Sequence, residues 1–386
     1  MININNNMRV SRDASEGRGQ YGFSLIEVVV ATTVMLIVVG AVFSLVRGSM
    51  KVAMSTYEMT DAQQNLRTAQ EFINRDILNA GDGLRSIINI RIPKPFVQSY
   101  ITLTPVPACV GTICNLAIFT TDNAVPALTP ITGAVPAANI LAGTDRQTIL
   151  EIDRDFNNGQ PISLREAHSE CTLPTAPVAV PAAISASGKT VKIPVNPCVA
   201  GSPGPAMTIF KTGEIYFFTS SLAGGGGTFG TVTDVDAGTR TLTFADADPY
   251  GLNKEGAGGH IQYISTGGTL ATSLQRMRII QYYVTDTKLL MRRVFGIEGS
   301  GARASIIAEH VLDVQFSYSL ITVDAAGVVI PSTTITLTTP EQQVAVRQVE
   351  VRVTVETPHA IQNGNRVPVT MTTSTSVRNM QFRTVK

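Results

Sequence analysis

The sequence predicts an α+β protein: one long N-terminal helix, apolar enough at its start to lie in a membrane, packed on an antiparallel β-sheet domain that carries a loop-rich insertion. Three observations predict it. Between Phe23 and Val46 the only ionisable side chain in 24 residues is Glu27. From Met59 to Ala80 apolar residues recur every three or four positions, which is the helical period. Beyond residue 206, β-branched and aromatic runs alternate with Gly- and Asp-rich breaks, the pattern of strands and turns.

Residues 1–22 form an Asn-rich leader with a small positive excess. Setting aside its Arg9, Arg12, Arg18, Asp13 and Glu16 leaves basic and acidic residues balanced at 27 each. That balance gives no basic excess for nucleic acid and no acidic tail for a cationic partner. A secretory signal peptide is cut after its apolar stretch. Here the sharp punctuation, Gly22, precedes the stretch, so processing at that point would leave the apolar segment on the mature chain. A helical rise of about 1.5 Å per residue lets the 24 residues from Phe23 to Val46 span a hydrocarbon core of roughly 30 Å. A transmembrane helix is expected over 23–46.

The string Gly22-Phe23-Ser24-Leu25-Ile26-Glu27, followed by Val28-Val29-Val30-Ala31, resembles the class III signal of type IV prepilins and type II secretion pseudopilins. The resemblance implies cleavage by a prepilin peptidase between Gly22 and Phe23, N-methylation of Phe23, and a role for Glu27 in assembly. A carboxylate inside a membrane helix costs a few kcal/mol and usually finds a partner. The family role supplies one, the α-amine of Phe23 on a neighbouring subunit. The alternative is that Glu27 is tolerated unaided at the positive end of the helix dipole.

The helix is expected to run on to Ala80, with Met59, Ala62, Leu66, Ala69, Ile73, Ile77 and Ala80 facing the protein's own sheet domain. Arg67, Glu71 and Arg75 stand at i, i+4 spacing, suited to surface pairs. Gly81-Asp82-Gly83 ends the helix, and Gly40 and Gly48 are weak points within it. Many major pilins carry a proline in this stretch; this chain has none between Phe23 and Ala80.

Residues 84–205 read as a loop-rich variable region, rich in Ala, Pro, Thr and Gly, with one strand at 148–152. This region holds Cys109, Cys114, Cys171 and Cys198. If it is extracytoplasmic, an oxidising compartment favours disulfides, and the spacing suggests Cys109–Cys114 and Cys171–Cys198 among three connectivities. Free thiols or a zinc site are the alternatives. Asp153, Asp155 and Asn157 place oxygens at alternating positions, as calcium loops do. The glycine falls one position late for an EF-hand and the twelfth position is Leu164, so a plain turn is the competing reading. No cofactor other than a possible calcium is indicated.

Residues 206–386 are expected to form the antiparallel sheet domain. Strands are predicted at 206–211, 213–219, 228–234, 240–245 and 260–265, with the glycines 224–227 as a flexible loop. That loop lacks the Lys-Ser/Thr of a phosphate cradle. A hairpin follows at 279–284 and 289–294, then a strand at 311–318, a cleanly alternating strand at 349–356 and a last element at 375–379. This order resembles PilW-type minor pilins, with pseudopilin J of type II secretion as a relative.

No hydrolase elbow and no His ligand cluster appears among His168, His260, His310 and His359, so an enzyme is not expected. The resemblance implies a single-span inner-membrane protein with its C-terminal domain extracytoplasmic, later incorporated into a type IV pilus. Its implied partners are prepilin peptidase, other minor pilins, the major pilin, the inner-membrane assembly platform and membrane lipid. A J-type pseudopilin shares every N-terminal feature. A membrane-anchored adhesin would need a binding constellation in residues 84–265.

Overall fold

The computed structural model describes residues 22–82, 89–93, 96, 109–110, 113–115, 118–121, 140–164, 184–185, 187–193, 205–220, 226–253, 261, 271–297, 303–324, 326–335, 337, 342, 345–361 and 364–377. It divides into two units, residues 1–56 and 57–386.

One helix, α1 (Leu25–Asn79), covers the predicted span to within two residues at either end. It passes without a break through Gly40 and Gly48. In the first unit its apolar side chains are exposed, from Leu25 and Ile26 through Phe43 and Leu45 to Val52 and Met54. In the second unit Ala62, Leu66, Ala69, Ile73, Ile77 and Ala80 are buried in one cluster with the strands, as the stripe predicted, while Met59, its first predicted member, is only half-buried. Arg75 lies over the Phe72 ring and reaches the neighbouring Asp76, rather than pairing with Glu71. The helix stops where Gly81 takes a φ of 73°, a conformation that suits glycine at a helix end. The Gly81 N–H then donates to the Leu150 carbonyl at 2.8 Å, fixing the helix terminus to the sheet.

The strands are β1 (Asn89–Pro93), β2 (Cys109–Val110), β3 (Ile113–Asn115), β4 (Ile118–Thr121), β5 (Arg146–Ile152), β6 (Ile162–Ser163), β7 (Thr190–Lys192), β8 (Ile215–Ser220) and β9 (Gly226–Thr231). There follow β10 (Asp234–Asp236), β11 (Thr241–Thr243), β12 (Ala271–Val284), β13 (Leu290–Phe295), β14 (Arg303–Ala308), β15 (Val311–Val323), β16 (Val329–Thr334), β17 (Val346–Glu356) and β18 (Pro368–Ser376).

The largest sheet has β12 as its spine. One side of this strand pairs β8 along its first half and β13 along its second. The other side takes β6 and then β5. Of the strands described between 84 and 205, β1 to β6 pair into the same sheet as strands of the C-terminal part, while β7 belongs to the third sheet. The sheet continues β8-β9-β1-β3-β2, and the β1–β9 pair is parallel, an exception to the expected antiparallel order. A second sheet runs β16-β15-β17-β18 and a third β10-β11-β7.

The alternation read at 349–356 holds: Val349, Val351, Val353 and Val355 are fully buried in β17. Side-chain amides of α1 reach the adjoining strand, Gln70 donating to the Met371 carbonyl and Asn74 accepting from the hydroxyls of Thr373 and Thr375. At the opposite side of this sheet β17 accompanies β15 only as far as Leu320. Ile321 to Val323 are paired with β16 alone, so this ribbon leaves Ile321, Val323, Val329 and Ile330 exposed. Pro331, within β16, is exposed too.

Several predicted elements are corrected. Residues 206–211 form a turn of 3-10 helix at Met207–Ile209, because Met207 and Phe210, three apart, both bury in a second core with Phe156, Tyr216 and Phe218. The strand expected at 228–234 ends at Thr231, where the Val232 N–H turns to the Glu214 carbonyl. Among the described residues the last strand is Pro368–Ser376, which takes in the start of the element expected at 375–379; residues 378 and 379 lie outside the described residues. Of 260–265 only residue 261 lies within the described residues. Of the glycines 224–227 expected in a loop, Gly226 and Gly227 are strand, and residues 224 and 225 lie outside the described residues. A Cβ at Gly227 would collide with the Phe217 ring, so the absence of a side chain there is a packing requirement. Gly227→Ala is expected to lower stability by about 1–3 kcal/mol, read as a fall in the thermal unfolding midpoint.

Candidate functional site at the start of the helix

Gly22 and Phe23 precede the first helical residue, and both are exposed, Phe23 to 85 %. Ser24 caps the helix. Its backbone N–H donates to Glu27 Oε2 at 3.0 Å, while the Glu27 N–H donates to Ser24 Oγ at 3.3 Å. This reciprocal pair is a capping box, which satisfies two of the donors that every helix start leaves unpaired. The Ser24 carbonyl accepts from the Val28 N–H and begins the helical ladder. Glu27 thus stands in the first turn with its negative charge at the positive end of the helix dipole. The Ser-x-x-Glu spacing was present in the sequence as a signal for this geometry. Further along, the hydroxyls of Thr32 and Thr33 donate to carbonyls one turn back, which leaves neither as an unsatisfied donor in an apolar environment. Ser24→Ala removes half of the box and is expected to cost about 1 kcal/mol of local helix stability. Hydrogen exchange of the amides of residues 25–28 in detergent should accelerate several-fold, with Ser24→Thr close to the parent.

The remaining predicted site residues are dispersed. Cys109 and Cys114 are directly opposed in the β2–β3 register. Cys171 and Cys198 lie outside the described residues. Asp153 and Asp155 face the same cation, Arg278 Nη1, at 3.7 and 3.9 Å, and the Asp155 N–H donates to Asp153 Oδ1 at 3.1 Å. Asp153 is buried and its Oδ2 accepts from Arg276 Nε at 2.8 Å, with Arg278 Nη1 at 3.7 Å from Oδ1. Asp155 is exposed, and the Asn157 amide donates to the Gln160 carbonyl at 3.0 Å. The guanidinium groups of Arg276 and Arg278 are thus the charged partners of Asp153. Among the described residues no group of three or more His, Cys, Asp or Glu side chains is placed to hold a metal ion.

Of the histidines, His359 Nδ1 is 3.0 Å from Glu58 Oε1, and His310 Nδ1 is 3.3 Å from Arg366 Nη1. His168 and His260 lie outside the described residues.

Reading the helix stripe by its apolar members missed the polar groups buried on the same face. Asp76 is 2 % exposed; its Oδ2 accepts from the Tyr282 hydroxyl and from Arg292 Nε, each at 2.6 Å. Burial and the adjacent Asp76 carboxylate push the Tyr282 hydroxyl far above the usual tyrosine range. Glu58 is buried too, receiving the His359 N–H at 3.2 Å. The position of Asp76 directly before Ile77 and three after Ile73 placed it on the apolar face, and that was the available signal.

Residues 17–43 match the family described as the prokaryotic N-terminal methylation motif. The matched stretch contains Gly22, Phe23, Glu27 and the first part of α1. That helix is long and apolar enough to cross a membrane. Together these support a type IV pilin-like protein, of a pilus or of a pseudopilin system. No curated protein and no solved structure matches the chain.

Proposed function

We propose that this pilin-like chain is a PilW-type minor pilin, built into a type IV pilus as part of the complex that primes assembly. The observation that carries the reading is the start of α1. An exposed Gly22-Phe23 junction leads into a capped helix whose exposed apolar surface is interrupted by one carboxylate. Such a surface is stable in lipid or against other helices of the same kind, and not in water.

In this reading prepilin peptidase cuts after Gly22 and methylates Phe23. The chain waits in the inner membrane with its C-terminal domain outside the cytoplasm, and then leaves the bilayer for the filament. Glu27 changes partner on the way, from the Ser24 amide to the ammonium of Phe23 on the adjacent subunit. A Cys109–Cys114 disulfide belongs to the proposal, since directly opposed residues of an antiparallel pair lie within the Cα separation that a disulfide spans. No turnover chemistry is required.

The test is the mature N-terminal peptide by mass spectrometry: methyl-Phe23 is expected, and an intact Met1 overturns the reading. With processing confirmed, Glu27→Ala should reduce incorporation into pili by about tenfold or more, the effect of losing a charged contact worth roughly 1.5–3 kcal/mol. Normal incorporation would refute the partner exchange. Deletion of the gene separates pilus from secretion system: loss of pili supports the minor pilin, and loss of exoprotein secretion supports the J-type pseudopilin.

A further inference from the structure

The first residue of β5, Arg146, is 4 % exposed, yet neither Nε nor Nη2 has an acceptor among the described residues. These two nitrogens lie on one side of the guanidinium and present parallel N–H groups. That is the fork which takes two oxygens of a carboxylate or phosphate at once.

The polar groups beside it in sequence are already engaged. Asp145 Oδ2 accepts from the Phe316 N–H at 2.8 Å, and Gln147 Oε1 accepts from the Tyr318 hydroxyl at 2.7 Å. Strand alternation puts Arg146 on the same face as Thr148, Leu150 and Ile152. On that face Thr148 Oγ1 accepts from Gln281. The other buried arginine-rich cluster is arranged differently, since Arg276 holds both Asp153 and Glu214 and Arg292 holds Asp76.

A guanidinium does not escape burial by losing its proton, so an uncompensated one calls for an anion. We infer that Arg146 is an anion site, its Nε–Nη2 fork binding a small oxyanion, phosphate or a free carboxylate. In support, burial with no charged neighbour to offset it lowers the ionisation of Arg146 to about 10, the direction that a bound anion would reverse.

The experiment uses the full-length chain in detergent, with inorganic phosphate and acetate as probes against chloride at matched ionic strength. Phosphate or acetate should raise the wild-type unfolding midpoint by about 3–5 °C at saturating concentration. Arg146→Gln should abolish the increment. Arg146→Lys, which keeps the charge but not the fork, should retain at most a small part of it. Whichever probe acts names the oxyanion class. If Arg146→Gln fails to fold, the wild-type Arg146 Hε resonance decides: it should move on titration with the active probe. No anion-specific increment in the wild type, an equal increment in Arg146→Gln, or an Hε resonance already hydrogen-bonded and unmoved by either probe would each overturn the site. The last outcome would mean that a group of the chain itself fills the fork.

Discussion

Asp76→Ala is expected to destabilise the second unit by about 3–5 kcal/mol, the cost of removing one partner from a buried ion pair. The substitution strips the Tyr282 hydroxyl and Arg292 Nε of the acceptor they share at 2.6 Å. Tyr282 is fully buried near the end of β12, so its hydroxyl has no route to water, and Arg292 is left as a largely buried cation. Asp76→Asn keeps an acceptor for the tyrosine and should cost less. Urea unfolding followed by tyrosine fluorescence measures both, since the chain has nine Tyr and no Trp. A loss below 1 kcal/mol for Asp76→Ala would show that the contact does not fasten the helix to the sheet.

The second large effect is a dependence on pH. Glu151, in β5, is 3 % exposed; Oε1 is 3.0 Å from Arg278 Nε and Oε2 has no hydrogen-bond partner among the described residues. Burial, with smaller contributions from Asp76 and Asp82, pushes its carboxyl up from 4.5 to about 7 against the pull of Arg278 and Arg292. The folded state then holds this proton more tightly than the unfolded chain. The group's contribution to stability is therefore greatest below pH 4.5 and is lost as pH rises to about 7, with a flat course above. Two and a half units correspond to roughly 3 kcal/mol. The difference in unfolding free energy between wild type and Glu151→Gln, followed from pH 4.5 to 8, should change by about that amount, in favour of the variant at the alkaline end. A difference independent of pH would show that Glu151 titrates normally.

How much of this was legible in the residues follows from what each signal measures. The long helix and its buried stripe were readable because Ala62, Leu66, Ala69, Ile73 and Ile77 repeat at the helical period. The valines of β17 were readable because alternation is the strand period. Asp76, Glu58 and Gln70 were not, because a count of apolar positions passes over polar residues whose burial is made tolerable by a partner some 200–300 residues away. Gly227 was misread because glycine composition signals a loop, whereas here it makes room for Phe217. The union of β5 and β6 with β12 depends on pairing across more than a hundred residues, which no local pattern records. At the candidate site the methylation motif was legible in the sequence, and the capping box was written in the same six residues but not read, Glu27 being assigned to assembly or to the helix dipole instead.

The ribbon of β15 and β16 has a consequence for solubility. Exposed β-branched residues on the outermost strand of a sheet form a template on which further strands can add, chain after chain. Pro331 has no N–H to offer such a strand, and so it breaks the row of donors near the middle of β16. The sheet is thereby discouraged from adding strands of other copies along its β16 edge.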